Sequence, residues 1–328
     1  MGRLPVDGVS SSAAAVATRV LFLGGLGRSG TTVVARLLGG LPGVCSVGEV
    51  VNLWRQGLLE NERCGCGEAF RRCAFWRRVG AVAFGGWHTI DARRILALKS
   101  LLDRNVLLLA APRPPSPLRR WLQEYHGFYL RLYRAVAEVS GCAVIADASK
   151  HASLALCLRH CGDLDLRVLH MVRDSRGVAY SWTKQVPRPE AARADSFMDR
   201  FSPAHSAMLW NAYNAGFEIL ARLRVPTLPV RYEDLVRSPA PMLRQIADFA
   251  GVRGDDEMLS FLHGSKVELT GTTHIVAGNP MRFETGWLAL REDDAWRSRF
   301  PARQRAVVWA LTLPLLLRYG YVGRGGKS

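Results

Sequence analysis

Residues 20–32 read Val20-Leu-Phe-Leu-Gly-Gly-Leu-Gly-Arg-Ser-Gly-Thr-Thr32. An apolar, β-branched run stops at a glycine-rich loop, and a helical pattern restarts at Thr31, so the stretch predicts strand, loop and helix in succession. Successive backbone N–H groups of such a loop, with the positive end of the helix it feeds, bind a phosphate without any charged side chain. Counted from Gly25, the spacing Gly-x-x-x-x-Gly fits a Walker A loop. Thr31 and Thr32, however, stand where Lys-[Ser/Thr] would hold phosphate and magnesium. The loop's own cation is Arg28, two residues before the second glycine. The reading is therefore a nucleotide anion held without the usual lysine and metal, in a group transfer other than NTP hydrolysis.

Working outward, apolar runs recur at Arg19 to Leu23, Val44 to Val47, Cys142 to Ala146, Leu166 to Val172 and Thr227 to Tyr232, each short enough for a buried strand. Helix-period segments lie between them at Thr31 to Leu38, Ser153 to His160, Ser175 to Gln185 and Pro239 to Ala250. This alternation predicts an α/β fold, a P-loop-containing three-layer α/β/α sandwich with a mostly parallel central sheet, whose ligands bind at the carboxyl ends of the strands. Residues 60–140 interrupt it as a helical, cysteine-containing insertion. A helix is expected near Asp91 to Leu102, then a proline-rich turn at Pro112 to Pro117. In the long helix that follows, Trp121, Tyr125, Phe128, Tyr129, Leu132, Tyr133 and Val136 fall at three- and four-residue steps, the pattern of a core face. The expected organisation is a disordered lead-in over 1–18, a single domain over 19–322 and a tail over 323–328.

The chain has 328 residues and a net charge of +16, and only five of its 44 basic residues are lysines. Such a field concentrates anionic ligands. No run of five or more basic residues occurs, so no dedicated nucleic-acid arm and no specific nucleic-acid partner are expected. Seven cysteines are too few for a disulfide scaffold, which fits a reducing cytoplasm. The N-terminal stretch lacks a signal peptide's apolar core. Ala306 to Leu317 is shorter than the ~20 residues that cross a bilayer and contains Pro314. It is read as a core helix, which leaves no transmembrane segment.

A second anion site is suggested where the fourth strand ends, at Val172-Arg-Asp-Ser-Arg-Gly-Val-Ala-Tyr-Ser-Trp182. Arg173 on the strand end and Ser181 under two turns into the helix can clasp one phosphate between a guanidinium fork and a hydroxyl. Taken in order, Gly-Arg-Ser-Gly-Thr-Thr32, this segment and Arg-Tyr-Glu-Asp-Leu235 resemble the sulfotransferase family that uses 3′-phosphoadenosine 5′-phosphosulfate. The resemblance is closer to the carbohydrate and tyrosylprotein types and to bacterial members than to the cytosolic phenol and steroid type.

The resemblance implies that Gly27, Arg28, Ser29, Gly30, Thr31 and Thr32 hold the 5′-phosphosulfate and that Arg173 and Ser181 hold the 3′-phosphate. It accounts for the missing lysine, because sulfuryl transfer from this donor requires no metal. Glu49, after the second strand in Val47-Gly-Glu-Val50, corresponds to the family's general base. Lys150, in Asp147-Ala-Ser-Lys150, stabilises the departing oxygen together with Arg28; Ala148 departs from the commoner serine there. His151 is the reserve base, since the cytosolic branch uses a histidine. Residues 271–286 resemble a loop closing over the nucleotide, with Asn279 and Arg282 as donor contacts and Tyr232 against the adenine.

The expected acceptor is a small-molecule or glycan hydroxyl, with residues 60–140 on the acceptor side. An ATP-dependent small-molecule kinase is the competing reading, against which stand the absent lysine and Arg173 directly before Asp174. A basic nucleic-acid binder draws only on the net charge. Cys64, Cys66 and Cys73 form Cys-x-Cys-x6-Cys, one ligand short of a tetrahedral zinc site; a local structural role, as a metal site or a disulfide, stays open.

Overall fold

A computed structural model describes residues 17–187, 197–254, 256–269, 271 and 273–322. The expected lead-in up to residue 16 and the tail over 323–328 lie outside the described residues. Five parallel strands, β1 (Thr18–Gly24), β2 (Val44–Gly48), β3 (Val144–Lys150), β4 (Leu164–Val172) and β5 (Thr227–Arg231), form one sheet in the order β2-β3-β1-β4-β5. All five predicted strands are present. Between β1 and β2 runs the helix Thr31–Gly39, as the sequence pattern requires.

The central strand explains the layering. Val20 to Leu23 are wholly buried, and a strand's side chains alternate between faces. Val20 and Phe22 pack with the helix Ser116–Ser140 and with Phe217, whereas Leu21 and Leu23 pack with Val34, Leu37 and Ile246 on the other side. The architecture is the three-layer α/β/α sandwich. Two register shifts, between Phe22 and Gly24 against β3 and between Ser46 and Gly48 against β3, both fall at the carboxyl ends of the strands. Irregular pairing there re-aims the side chains that follow.

The aromatic stripe is core: Tyr125, Tyr129, Leu132, Tyr133 and Val136 are buried and Trp121 and Phe128 half-buried. Its hydroxyls are satisfied locally, with Trp54 Nε1 donating to Tyr129 at 3.0 Å and Tyr125 and Tyr129 bonded at 3.1 Å. After Glu49 the chain winds as a 3-10 turn at Val50–Asn52 followed by a π-helical segment, Leu53–Leu59. A small antiparallel sheet, β6 (Leu262–His263), β7 (Lys266–Leu269) and β8 (Gly286–Ala289), flanks the turn-rich segment and was not foreseen.

One expectation is overturned. The helix Ala302–Arg318 is not a core helix: Val308, Thr312 and Leu316 form a stripe at four-residue steps that is buried, while Val307, Trp309, Leu311 and Leu317 are exposed. Its apolar residues run all round the axis, and only one side has helices to pack on. Pro314 sits inside it. Among the described residues no helix is long and apolar enough to cross a membrane.

His170 on β4 is buried, its Nε2 donates a hydrogen bond to Asn214 Oδ1 at 2.8 Å, and burial pushes its imidazole from 6.5 down to about 4. A depressed histidine binds protons only in the unfolded chain between those values, so the stability it contributes above pH 6.5 is lost as pH falls toward 4. Denaturant melts of the chain and of His170→Asn across that range are expected to diverge by roughly 3 kcal/mol, the wild type losing more. Parallel pH profiles would contradict this. His151 and Asp147 titrate in both proteins and cancel in the difference.

Candidate active site

The carboxyl ends of all five parallel strands open into one cavity of about 760 Å³, a size suited to a nucleotide and a second ligand. Each strand end contributes to its wall: the loop after β1, Glu49 after β2, Lys150 closing β3, Arg173 after β4 and Tyr232 after β5.

Gly30, at φ 86°, caps the helix Thr31–Gly39 in the left-handed region, and no side chain caps its first turn. Thr31, Thr32 and Val33 line the cavity, so the free amides of that turn lie at its wall. The loop glycines are demanded by aromatic neighbours as well. A Cβ on Gly27 would lie 2.8 Å from Trp182, and one on Gly30 2.3 Å from Tyr232. Arg28 turns through φ 74° and lays its guanidinium over Trp182 at 5.1 Å. Among the described residues its Nη2 reaches only Met198 Sδ, at 3.3 Å, and its buried Nε has no partner. Burial holds its pKa below the usual arginine value. An incompletely satisfied cation beside uncapped helix amides is chemically fitted to an anion. Ser29 differs from the rest of the loop: its side chain is turned inward and buried, off the cavity wall, and its N–H is taken by Leu26 O at 3.2 Å.

Glu49 and Lys150 meet as an ion pair, their side chains 13% and 15% exposed. Asn52 Nδ2 donates to the second Glu49 oxygen at 3.0 Å. Lys150 takes φ 67°, costly for a residue with a Cβ, and is held there by its surroundings. Ser149 is tied from three sides: its N–H and Oγ donate to Asp147 Oδ1 at 2.8 and 2.5 Å, and its Oγ accepts from Val51 N–H at 3.0 Å. Tyr133 donates to the other Asp147 oxygen at 2.5 Å. Burial pushes the Asp147 carboxyl up to about 6, against these hydrogen bonds. On the far side, Glu49 N–H donates to Val276 O at 2.8 Å and Val276 N–H to Val47 O at 2.9 Å. A Cβ on Gly278 would lie 2.7 Å from Glu49 Oε1, so this close approach requires glycine, at φ 97°. His151 also lines the cavity. Burial pushes it down to about 4, leaving it neutral, and its ring meets the edge of Tyr213 at 5.9 Å.

Arg173 and Ser181 both line the cavity, as their spacing predicts. Arg173 stacks on Tyr232 at 4.9 Å, donates to Arg28 O at 3.0 Å and contacts Asp293 through its carbonyl and its carboxylate, at 3.1 and 3.3 Å. The same carboxylate oxygen accepts from Lys184 Nζ at 3.3 Å. Tyr232 has its hydroxyl fixed on Arg291 O at 3.1 Å. Asn279 is on the wall and caps the turn Pro280–Phe283.

Arg282 is a correction. It does not line the cavity but is 1% exposed, donating to Gly278 O at 2.6 Å, while its own carbonyl accepts from Arg36 at 2.7 Å. It staples the loop rather than facing a ligand. The insertion is a second departure, since no residue of 60–140 is on the wall; Arg55, Gln56, Phe197, Phe201 and Tyr213 stand there instead. Tyr133 supports the site from behind, through Asp147.

Sequence reading missed Asn52, Lys184, Gly278 and Asp293. Asn52 and Lys184 follow Glu49 and Ser181 by three residues, a spacing that puts helical neighbours on one face. Asp293 and Gly278 carried no local signal. Asp174, the carboxylate a kinase reading would use to hold metal, lies off the wall and accepts from Arg176 Nε at 2.9 Å and Nη2 at 2.6 Å.

A search of curated protein sequences finds no match. Among solved structures, the sulfotransferase domain from the Synechococcus PCC 7002 olefin synthase aligns with TM-score 0.49 and 21% identity over 90% of this chain and 94% of that one. The sulfotransferase domain from the curacin biosynthetic pathway aligns with TM-score 0.49 and 16% identity over 90% and 96%. Sulfotransferase STF9 from Mycobacterium avium aligns with TM-score 0.41 and 15% identity over 75% and 66%. The profile of the sulfotransferase family matches residues 21–256, well over half of the sequence and every strand of the parallel sheet, and the chain belongs to that family.

Proposed function

We propose that this sulfotransferase takes its sulfuryl group from 3′-phosphoadenosine 5′-phosphosulfate and delivers it to a hydroxyl of a carbohydrate or small natural product. The observation that carries the reading is the meeting, in one cavity, of an ion-paired Glu49 and Lys150 with a loop whose helix has no side-chain cap and whose Arg28 Nε has no partner among the described residues. Gly27, Arg28, Gly30, Thr31 and Thr32 hold the 5′-phosphosulfate. Arg173 and Ser181 grip the 3′-phosphate, with Lys184 close by, and Tyr232 and Asn279 border the nucleotide. Phe201 and Tyr213 offer the acceptor an aromatic wall. Seven free cysteines suit a reducing compartment, the cytoplasm.

In the transfer, the acceptor oxygen bonds to sulfur as the bond from sulfur to the bridging phosphate oxygen breaks. Glu49 takes the acceptor's proton, and Lys150 and Arg28 meet the charge that appears on the departing phosphate, a role that elsewhere falls to magnesium. Substrates must part Glu49 from Lys150 for both to act, so the pair keeps each side chain aimed at the cavity until they arrive.

Glu49→Gln is expected to lower kcat by about 100-fold or more, the range for loss of a general base, with affinity for 3′,5′-adenosine bisphosphate held within about twofold. Loss of binding would make Glu49 structural. For Arg173→Ala, titration calorimetry should find at least about tenfold weaker bisphosphate binding but little change for adenosine 5′-phosphate, which has no 3′-phosphate. Equal losses for both would remove the 3′-phosphate assignment.

Asp293 occupies Arg173 and Lys184 with a carboxylate that a 3′-phosphate must displace. Asp293→Asn is therefore expected to bind the bisphosphate several-fold more tightly, with a weaker salt dependence of the gain than of the binding itself. Weaker binding would show that Asp293 orders the site instead.

Saturation at 100 times Kd should raise unfolding stability by about 2.7 kcal/mol in thermal-shift assays with EDTA present. Stabilisation by ATP with magnesium alone would favour the kinase reading.

A further inference from the structure

We propose that Cys64, Cys66, Cys73 and His274 together bind a zinc ion, forming a closed Cys3His site that fastens the loop beside Glu49 to the segment following β2. The sequence provides three thiols and no fourth ligand nearby; the fold delivers His274 from 201 residues beyond Cys73. The four donor atoms all lie within 4.8 Å of one another. Cys66 and Cys73 sulfurs are 3.7 Å apart, and His274 Nδ1 is 3.4 Å from Cys73 Sγ and 3.9 Å from Cys64 Sγ. Tetrahedral zinc, with bonds of about 2.3 Å to sulfur and about 2.0–2.1 Å to nitrogen, sets ligand edges of about 3.8 Å between sulfurs and about 3.6 Å between sulfur and nitrogen. The three spacings of 3.4, 3.7 and 3.9 Å match those edges, and the outer limit of 4.8 Å leaves about 1 Å for the ligands to close on the ion. A disulfide needs about 2.05 Å between sulfurs, and all seven cysteines are free.

The backbone is built around this convergence. Gly65 N–H donates to Ile275 O at 2.9 Å, and a Cβ on Gly65 would lie 2.7 Å from Thr273 Oγ1, so only glycine lets the two segments pass. The backbone at Cys66, Glu68 and Trp76 lies beside the sulfurs of Cys64, Cys66 and Cys73 and favours their thiolate forms, as ligands to a metal require. The His274 ring lies flat on Phe75, at 4.6 Å and 4°, and its carbonyl accepts from Trp76 Nε1 at 3.0 Å. Imidazole orientation is thus fixed with Nδ1 toward the thiols. Three soft thiolates and one imidazole select zinc over magnesium or calcium, and four protein ligands leave no open position for a reacting group. The ion is structural.

Its position explains what it would stabilise. Two residues beyond His274, Val276 pairs with Val47 and Glu49, and four residues beyond, Gly278 abuts the Glu49 carboxylate. The loop has only short irregular structure of its own, and a metal at its base fixes its path.

The test is metal analysis of the full-length protein, purified without chelators and with thiols reduced. One zinc per chain is expected, and replacement by cobalt should give the visible d–d bands of a tetrahedral site with sulfur-to-cobalt charge transfer. His274→Ala and Cys66→Ser should lose the metal and the bands, whereas His274→Cys should keep one ion per chain with a stronger charge-transfer band. Three results would overturn the site: wild-type protein that binds neither zinc nor cobalt, metal content unchanged in both ligand-removing variants, or a Cys66–Cys73 disulfide in protein isolated from a reducing cytoplasm. The wild-type and His274→Cys measurements decide the matter even if the other variants fold poorly.

Discussion

The ion pair between Glu49 and Lys150 closes the ends of β2 and β3 across the cavity mouth, and much of the surrounding structure keeps those two side chains where they are. Lys150 is held in a left-handed turn by the Asp147–Ser149–Val51 hydrogen bonds, and Asp147 in turn by Tyr133. Glu49 is fixed by backbone pairing to Val276, by Asn52 and by the close passage of Gly278. Held by these contacts, the backbones of both residues aim their side chains at the cavity before any ligand arrives. The aromatic helix Ser116–Ser140 takes part through this network, as the buttress behind Asp147 rather than as a wall of the cavity.

Charge balance is uneven around the cavity. Lys150 has Glu49, while Arg173 and Lys184 share Asp293. Among the described residues no carboxylate answers Arg28, and the first turn of the helix Thr31–Gly39 lacks a side-chain cap. Two of three cationic points therefore carry internal counter-ions, and the third has none among the described residues. In place of a P-loop lysine, positive charge lines the cavity from Arg28 in the loop itself and from two other strand ends, Lys150 closing β3 and Arg173 after β4.

The legible part of the sequence was the part whose signal is local. Residues 20–32 hold strand, loop and helix start in one continuous stretch, and Arg173 with Ser181 fall within nine residues, so their spacing suggested a shared site that the family resemblance then assigned. Glu49 and Lys150 were each identifiable at a strand end, but their direct pairing required the order of β2 and β3 in the sheet. Asp293 reaches Arg173 across 120 residues, and no periodicity announces such a meeting. Arg282 faced away because carbonyls at Gly278 and Arg63 offered it buried partners, a choice set by tertiary packing. The helix Ala302–Arg318 misled for a related reason: an apolar composition says that burial is favourable, not that enough neighbours exist to provide it.

Sulfuryl transfer with Glu49 as base is put to the test by supplying the full chain with sulfur-labelled 3′-phosphoadenosine 5′-phosphosulfate or with γ-labelled ATP, over a panel of hydroxyl acceptors, and following where the label goes. It predicts acceptor-dependent transfer of the sulfur label, matched mole for mole by release of 3′,5′-adenosine bisphosphate and abolished in Glu49→Gln. Transfer of the phosphorus label instead, or release of bisphosphate undiminished in Glu49→Gln, would contradict it.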